Sequence, residues 1–427
     1  MPLLVKLGGM TVMPYALKYQ PIRTTIKQSL RSTLLQLYPA ALNAVRGNIV
    51  VKKALAKIDH LQNCHLLAIG KAAEAMSLGA IDQLGASIKT GMIISKRGHF
   101  ESNLPSDARF ECIEANHPIP ANDSLIAGKK LTRYLQQLPD DAHCLVLISG
   151  GASSLAEVLQ EGWNLKELQK INRHLLENAH PIEEINAVRC QLSKIKAGGL
   201  WHYIGSRQVT CLMISDVEGD GPAVIGSGLL FPSDATIPSA LPSKWLKRFK
   251  HTRPVRPNHF HWEIIATLND AKQAIARTAI EMGYRVKITN KFLHGDAARL
   301  ATQCAKQLKQ TDVDIIIWGG ETTVQLPNNP PKGGRNQHFA LAAAIELAGS
   351  NCALISLGTD GSDGTTEAAG GIIDGQTLAR GTTQSLSAKQ HLQQARAYAF
   401  LQATGDLVIT GATGTNVMDI VIGVKEH

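Results

Sequence analysis

The densest group of side chains capable of chemistry lies near the C-terminus, in LISLGTDGSDGTTEAAGGIIDG, residues 354–375. An apolar, strand-like run leads there into a loop with four carboxylates, several hydroxyls and six glycines. Crowded like charges repel one another, so an ordinary turn gains nothing from so many acids. A pocket that holds a metal ion, or cationic side chains around a phosphate, does need them. We therefore expect Asp360 to bind a metal ion or a substrate hydroxyl.

Two cations occupy similar positions, each directly after glycine and before a predicted helix. Lys71 follows the strand-like run that ends at Gly70, and Arg335 follows a pair of glycines. A helix N-terminus favours anions through its N–H groups and its dipole, and a nearby cation adds charge for a phosphate. Alternatively, Lys71 is an ordinary surface lysine, and Arg335 forms a structural ion pair with Glu321 of IIIWGGE.

Two further loops follow apolar runs and offer groups for a phosphate and a metal. In LISGGASS, Gly150 and Gly151 let a ligand approach the backbone, while Ser153 is either a ligand contact or a helix cap. In MISDVEGDG, Asp216 and Asp220 are spaced acids at the end of a strand-like run. Carboxylates in that position suit Mg²⁺, although a polar turn would explain them equally well.

Two last segments carry polar residues whose role the pattern leaves open. NAVRCQLSKIK places Asn186, Arg189 and Lys196 at or near helical spacing, which predicts one shared basic face. Such a face is either solvated or in contact with an acidic substrate. TGATGTNVMDIVIG places Asn416 between two apolar runs, close to the chain end.

The elements that must position these groups alternate between strand-like and helical patterns. Many strands are continuous Val/Ile/Leu runs, which favours parallel sheets covered by helices on both faces. The class is therefore α/β, with two Rossmann-like domains and mostly parallel sheets, whose ligands bind beyond the carboxyl ends of the strands. Residues 238–261 interrupt the alternation, so we predict an N-terminal domain at 1–255 and a C-terminal domain at 256–427. The predicted strands are 65–70, 91–96, 143–149, 209–215, 262–268, 284–289, 313–320, 352–358 and 406–411, and the predicted helices are 24–57, 122–137, 164–179, 270–282, 295–310, 336–348 and 387–401.

Composition excludes several classes of protein. The chain is 44% apolar and 19% charged, and it has no apolar run of about 20 residues that could span a bilayer. Its seven cysteines form no CxxC pair, which favours free thiols and a cytoplasmic location. The net charge of +9 arises within residues 1–58, where nine Lys and Arg precede the first acid, so a nucleic-acid partner is not expected. This basic start is either a solvated helix or a transit segment, and Met10 and Met13 leave a later start open.

Taken in order, these motifs resemble those of the glycerate 2-kinases of the MOFRL family. The C-terminal motifs are GGETTV, GGRNQ–FALA, GTDGSDGTTEAAGGIIDG and TGATGTNVMD. The N-terminal motifs are GKAA, HPIP, ISGGASS, N–VR–LS–IK–GG and SDVEGD–P–VI–SG. The resemblance runs from about residue 65 to the end. The chain departs from the family pattern at Ala152, where a third glycine is usual, at Asn116, where glycine is usual, and at Met418, where asparagine is common.

The resemblance implies ATP- and Mg²⁺-dependent phosphorylation of D-glycerate at its 2-hydroxyl, giving 2-phosphoglycerate, in a cleft between the domains. It places the family's key basic residues on Lys71 and Arg335, in agreement with their positions before helices. Phosphoryl transfer requires mainly positioning and charge stabilisation, and the chain has no GxxxxGK[ST] loop, so it is not a P-loop kinase. The full predicted set is Lys71 and Arg335 as catalytic residues, Gly150, Gly151, Ser153, Asn186, Arg189, Lys196, Glu321, Asp360 and Asn416 as substrate or nucleotide contacts, and Asp216 and Asp220 as metal ligands.

Two other functions stay open at this point. A hydroxypyruvate reductase that uses a dinucleotide should show GxGxxG after a strand, and the loops at Gly70 and Gly150 lack that pattern. A non-catalytic module for an organic acid or a sugar phosphate is the second alternative, and the chain shows no DNA-reading helix pair that would make it a regulator. We expect D-glycerate and ATP as partners, without nucleic acid or membrane, and leave a homodimer open.

Overall fold

The computed structural model divides into two compact units, which are described separately. The first unit comprises Arg46–Thr267 and Gly414–Asn416, and the second comprises Met1–Val45, Leu268–Thr413 and Val417–His427. The predicted division at residue 255 and the predicted cleft stay predictions. No helix among the described residues is long and apolar enough to cross a membrane. The described residues are 5–7, 10–12, 29–59, 61–178, 180, 182–233, 237, 241–249, 260–327 and 329–426.

The N-terminal helical region consists of two helices. Helix α1 (Leu30–Val45) buries one apolar stripe, and Arg46 is extended with φ −65° and ψ 129°, so that α2 (Gly47–Leu55) begins a new helix. The break assigns α1 to the second unit and α2 to the first. Residues 24–28 of the predicted helix lie outside the described residues. Two short antiparallel strands precede these helices, β1 (Val5–Leu7) and β2 (Met10–Val12).

The described part of the first unit contains a six-stranded, fully parallel sheet, which confirms the α/β class and the parallel arrangement here. Its central strands are buried along almost their whole length, as the Val/Ile/Leu runs predict. Strand β5 is absent from the sequence prediction, because its alternating pattern FECIEA is short and carries two acids. In spatial order the strands are β5 (Phe110–Ala115), β4 (Ile88–Lys96), β3 (Cys64–Ile69), β6 (His143–Ile148), β7 (Gln208–Ile214) and β8 (His261–Ala266).

Helices of the first unit pack on this sheet and extend its core. The main apolar core joins the sheet to α4, α5 and α8 through Leu131, Leu155 and Ile204, all of them fully buried, while α6 and α7 form a smaller core with Trp245. The helices are α3 (Ala73–Leu84), α4 (Asn122–Gln136), α5 (Ala152–Leu155), α6 (Leu165–Glu177), α7 (Ile182–Leu192), α8 (Trp201–Ile204) and α9 (Ser243–Leu246).

The sheet of the second unit is mixed, and the prediction of mostly parallel strands is wrong for it. Strands β9 and β10 pair with β11 in parallel, but β11–β15, β15–β12, β12–β13 and β13–β14 are antiparallel. A parallel return needs a crossover of about a dozen residues or more, usually with a helix. Residues 359–369, between β12 and β13, and residues 409–418, between β14 and β15, contain no helix, so neither of these two connections is a helical crossover. The strands are β9 (Val286–Ile288), β10 (Leu293–Asp296), β11 (Ile315–Thr323), β12 (Cys352–Gly358), β13 (Gly370–Asp374), β14 (Leu407–Val408) and β15 (Asp419–Lys425).

Helix α12 (Arg335–Leu347) is the central helix of the second unit. Its alanine-rich sequence allows close packing, so that Phe339, Leu341 and the four alanines at 340 and 342–344 are buried against the sheet and α11 (Ala297–Gln310). This packing fixes the position of Arg335 at the first turn. The predicted helix 387–401 is divided into two. The other helices are α10 (Leu268–Glu281), α11 (Ala297–Gln310), α13 (Thr377–Thr383), α14 (Ala388–Gln393) and α15 (Ala397–Ala403).

Candidate active site

The loops that follow β3 and β6 are hydrogen-bonded to each other at the carboxyl end of the first sheet. The N–H of Lys71 donates to the carbonyl of Gly150 at 2.9 Å, and the N–H of Ala72 donates to Ser149 Oγ at 3.0 Å. These bonds place Lys71 next to the paired glycines, as the position of ligands in parallel sheets predicts. They also use two of the N–H groups before α3, so those two do not contribute to anion binding.

Gly150 lies against a carboxylate and an amide that both belong to the predicted set. Asn416 Nδ2 donates to Asp216 Oδ2 at 3.1 Å. A Cβ atom at Gly150 would lie 1.9 Å from Asp216 Oδ2 and 2.0 Å from Asn416 Nδ2, so only glycine leaves room for this pair. Asn416 comes from the C-terminal part of the chain, and the N–H of Gly47 donates to the carbonyl of Gly414 at 2.9 Å to hold that segment in the first unit.

Next to Gly151 lie both Lys71 and His117, and the sequence analysis assigned no role to His117. The φ of +87° at Gly151 is in the left-handed region that favours glycine. A Cβ atom there would lie 3.0 Å from His117 Cδ2 and 3.3 Å from Lys71 Cγ. His117 belongs to the HPIP motif and precedes Pro118 through a cis peptide bond. The motif itself was the signal that could have identified this histidine.

Three further residues of the predicted set belong to the first unit, namely Ser153, Arg189 and Asn186. Ser153 Oγ and Ser227 Oγ are 2.8 Å apart, and Cys190 Sγ donates to the Ser227 carbonyl at 3.7 Å. Arg189 Nε donates to Asn172 Oδ1 at 3.2 Å. Burial lowers the pKa of Arg189 more than the negative charge of nearby Glu157 raises it. Asn186 is partly buried on the same helix, α7.

Lys196 does not lie on the predicted helical face, because α7 ends at Leu192. Its Nζ is hydrogen-bonded to Glu157, and the two side chains are only 1% and 2% exposed. Removing one partner of a pair so far from solvent would leave an uncompensated buried charge. These contacts are those of a structural ion pair, and ligand binding by Lys196 stays a prediction.

The predicted metal ligands occupy the loop after β7. Asp216 and Asp220 are both partly buried, and Asp220 has a φ of +51°. Among the described residues, no set of three or more His, Cys, Asp or Glu side chains could hold a metal ion. Mg²⁺ commonly keeps several waters and uses one or two carboxylates together with substrate phosphates. The donor chemistry therefore fits a magnesium ion shared with a nucleotide and does not fit a site built by protein ligands alone.

In the second unit, all three guanidinium nitrogens of Arg335 face carboxylates. Nε donates to Asp419 Oδ2 at 2.6 Å, Nη2 to Asp419 Oδ1 at 3.1 Å, and Nη1 to Glu321 Oε1 at 2.5 Å. Burial alone lowers the pKa of Arg335, but these carboxylates raise it further than burial lowers it. The predicted pairing with Glu321 is therefore present, and Asp419 is an additional partner from the TNVMD motif that was not assigned a role.

The N-terminus of α12 carries a buried carboxylate that the sequence analysis did not single out. Asp363 accepts from the N–H of Asn336 at 3.1 Å and of Gln337 at 2.8 Å. Gly334 allows this, because a Cβ atom there would lie 2.2 Å from Asp363 Cγ. Burial raises the pKa of Asp363 to about 7, against the lowering effect of these N–H groups. The N–H groups expected to attract a phosphate are thus already bound at these two positions.

Asp360 lies in the same group of acids. Its Oδ1 accepts from the N–H of Ser362 at 3.0 Å and from Ser362 Oγ at 3.2 Å. Tyr38 donates to the Gly358 carbonyl at 3.1 Å, and its pKa is raised first by burial and then by the negative charges of Asp360 and Asp419. From the acid-rich loop, Asp363 adds its negative charge to those of Asp419 and Glu321 around Arg335.

The backbone conformation at Met418 explains why asparagine is common at this position in the family. The φ of +69° at Met418 is in the left-handed region, which asparagine adopts more readily than methionine. Its carbonyl accepts from the N–H and the hydroxyl of Thr359 at 3.0 and 2.6 Å. The asparagine common at this position thus has a backbone reason.

Fold and site together define a two-unit α/β protein with cations and carboxylates at the strand exits of both sheets. A domain of unknown function, DUF4147, matches residues 33–258, and the MOFRL family matches residues 314–419. The D-glycerate 2-kinase of Thermotoga maritima is 35% identical over 93% of this chain and 98% of its own length. The glycerate 2-kinase of Pyrococcus horikoshii is 32% identical over 91% and 93%. The chain belongs to the glycerate 2-kinase family with MOFRL domains and is a kinase.

A solved structure agrees with this assignment. The crystal structure of a glycerate kinase from Thermotoga maritima matches with a TM-score of 0.81 at 34% identity, covering 93% of this chain and 99% of that chain. A relative from Agrobacterium vitis, 33% identical over 84% of this chain and 98% of its own length, is named provisionally as a hydroxypyruvate reductase. That name corresponds to one of the two alternative functions. The comparisons do not support this alternative better than a glycerate kinase.

Proposed function

We propose that this protein transfers the terminal phosphoryl group of ATP to the 2-hydroxyl of D-glycerate, with Mg²⁺, and forms 2-phosphoglycerate. The observation that carries the proposal is the meeting of Lys71, Gly151 and the Asp216–Asn416 pair where the first sheet's strands end. A cation, a close backbone and a carboxylate are the groups that a transferring phosphoryl group and its metal require. The names of the relatives supply the substrate and the position of phosphorylation.

In the first unit, we assign Lys71 to the phosphoryl oxygens, whose negative charge increases in the transition state. Gly150 and Gly151 leave the backbone open to the ligand, and Ser153, Asn186 and Arg189 are proposed as polar contacts to substrate or nucleotide. Asp216, oriented by Asn416, and Asp220 would hold Mg²⁺ together with the nucleotide phosphates. The metal would supply charge neutralisation between the phosphate groups.

In the second unit, we propose Arg335 as a catalytic contact to phosphoryl oxygens, because a planar guanidinium binds two oxyanion atoms at once. Asp419 keeps the guanidinium in one orientation. Asp360 is proposed to accept the hydrogen bond, and finally the proton, of the substrate hydroxyl as its oxygen forms the new O–P bond. The bond between the terminal phosphorus and the ADP oxygen breaks in the same transfer.

The first experiment measures ADP release from ATP and Mg²⁺ with a panel of small hydroxy acids that includes D-glycerate. We expect D-glycerate to give the largest rate above the substrate-free control. The absence of ADP above that control would contradict the proposal. The same panel with hydroxypyruvate and NADH, followed by absorbance, tests the reductase alternative, for which we expect no oxidation of NADH.

The second experiment determines the position of phosphorylation. Enolase consumes 2-phosphoglycerate directly, so coupling through enolase without a mutase should give a signal at once. A signal that requires added phosphoglycerate mutase would identify the product as the 3-isomer. Cytoplasmic location and a homodimer stay predictions that these assays do not address.

A further inference from the structure

The two carboxylates that bind Arg335 are held very differently. Asp419 binds Nε and Nη2 together and is 7% exposed. It begins β15 in the middle of the sheet, where Gly320 of β11 and Gly358 of β12 are its direct neighbours. Glu321 binds only Nη1 and is 48% exposed, while the arginine side chain is 35% exposed. Arg335 therefore has one buried, two-point partner and one open, single-point partner.

This difference decides which carboxylate an incoming anion can replace. Separating a buried carboxylate from its cation leaves an uncompensated buried charge, which is strongly unfavourable. An exposed ion pair contributes little to stability, because the released carboxylate recovers its hydration. Replacing Glu321 is thus far easier than replacing Asp419, and Nη1 lies on the more open side of the guanidinium.

We propose that Glu321 is an exchangeable counterion of Arg335. It holds Nη1 while the site contains no anion, and it gives this nitrogen up to a phosphate oxygen of the nucleotide, whereas Asp419 remains bound throughout. The inference rests on the proposed function only in naming the nucleotide as the source of the phosphate. Glu321 therefore competes with the substrate, and its charge sets the affinity of the site for phosphate.

Binding is measured by isothermal titration calorimetry at low ionic strength, with ATP, inorganic phosphate and D-glycerate as separate ligands and without turnover. Glu321→Gln keeps the shape of the side chain and removes its charge. We expect this variant to bind ATP and inorganic phosphate about two- to fivefold more tightly than the wild type. The gain should decrease at high salt, where exposed charges are screened. A structural role for Glu321 would not produce tighter binding.

The matched control is Glu346→Gln, which removes an equal charge from the other end of α12, where Glu346 pairs with Lys309. Glu346 lies roughly 16 Å along the helix from Arg335, so we expect a clearly smaller change in ATP or phosphate affinity at low ionic strength. At about 0.15 M salt, where the screening length is about 8 Å, we expect no change. The gain from Glu321→Gln should also disappear in the background of Arg335→Lys, since the two residues are coupled.

Unchanged or weaker phosphate and ATP binding in Glu321→Gln would overturn the proposal. An equal gain in affinity in Glu346→Gln would also overturn it, because that result would be a general effect of charge. So would a gain in affinity for D-glycerate alone, because the site would then bind a carboxylate and not a phosphate. Failure of the proposed function has a different signature, namely no ADP formation by the wild type with D-glycerate, and the binding comparison remains decisive in that case.

Discussion

The two units place a cation in the same local sequence, after glycine and before a helix, yet its surroundings differ. In the first unit, Lys71 lies beside Gly151 and His117, and Asp216 is bound to the amide of Asn416. In the second unit, the guanidinium of Arg335 is bound by two carboxylates. One motif thus leads to two environments, because neighbouring strands, rather than the motif itself, supply the partners of each cation.

The sheets explain the difference. In the parallel sheet, every strand ends at the same edge, and the loops there bring glycines and a lysine together. In the mixed sheet, β15 begins where β11 and β12 end, so that Asp419 enters the middle of the site next to Glu321 and Asp360. Arg335 is consequently oriented and charge-balanced before any ligand binds, and we expect its removal to affect both stability and rate.

The largest expected effect is that of Arg335→Ala. The rate per folded molecule should fall roughly 10²–10³-fold, as for loss of one group that stabilises a developing oxyanion. The melting temperature should also fall, because Asp419 loses its cation. Arg335→Lys should be nearly as slow, since a point charge does not replace a planar fork.

Lys71→Ala is the corresponding change in the first unit, and we expect a similar loss of rate. Turnover and thermal unfolding should be measured on each variant. A destabilised Arg335→Ala protein with near-normal turnover per folded molecule would contradict the catalytic role, and the two cations would then not be equivalent in function.

Lys196→Ala tests a cation that the sequence placed with the binding residues and the structure places in a buried pair. We expect a loss of about 3–5 kcal/mol in the free energy of unfolding, because Glu157 is left buried without its partner. If Lys196 is only a structural partner of Glu157, turnover per folded molecule should change little, whereas the predicted ligand contact requires a clear loss of turnover. Lys194→Ala is the control, since Lys194 faces the largely exposed Glu161 at 3.5 Å, and we expect it to change stability by less than about 0.5 kcal/mol.

Gly150→Ala should separate Asp216 from Asn416. The added methyl group has no space, so we expect a loss of about 1–3 kcal/mol in unfolding free energy and a marked loss of turnover. Gly221→Ala is the matched control in the loop after β7, because its φ of −73° suits alanine and the nearest atom would be 3.5 Å away. Wild-type turnover in Gly150→Ala would show that the Asp216–Asn416 pair has no role in the reaction.

The last prediction concerns the pH dependence of stability and not the rate of the reaction. Burial raises the pKa of Asp363 to about 7 in the folded chain, whereas an unfolded aspartate loses its proton near 3.8. Between these values the folded state binds the extra proton, so this residue should make stability fall as pH rises from about 4 to about 7. Asp363→Asn should flatten that slope in urea unfolding followed across the same range. A slope identical to that of the wild type would contradict the raised pKa.

Much of the site could be predicted because its residues are local in sequence. The exits of β3 and β6 are recognisable from apolar runs followed by glycine, and that of β7 from an apolar run followed by acids. Parallel strands must bring such exits to one edge. The pairing of Arg335 with Glu321 was anticipated as an alternative. The family assignment followed from motifs in a fixed order, and it is confirmed by relatives that span nearly the whole chain.

The sequence by itself therefore determined the α/β class, the strand exits and the cations that follow glycine, since these depend on short-range periodicity and turn chemistry. Only the tertiary structure decided that β15 runs antiparallel and places Asp419 against Arg335. It also decided that Asp363 binds N–H groups at the N-terminus of α12, and that Lys196 forms a buried ion pair with Glu157. Each of these contacts joins residues that are far apart in the chain. Burial and charge pairing at such distances depend on which strands become neighbours, and local patterns do not specify that choice.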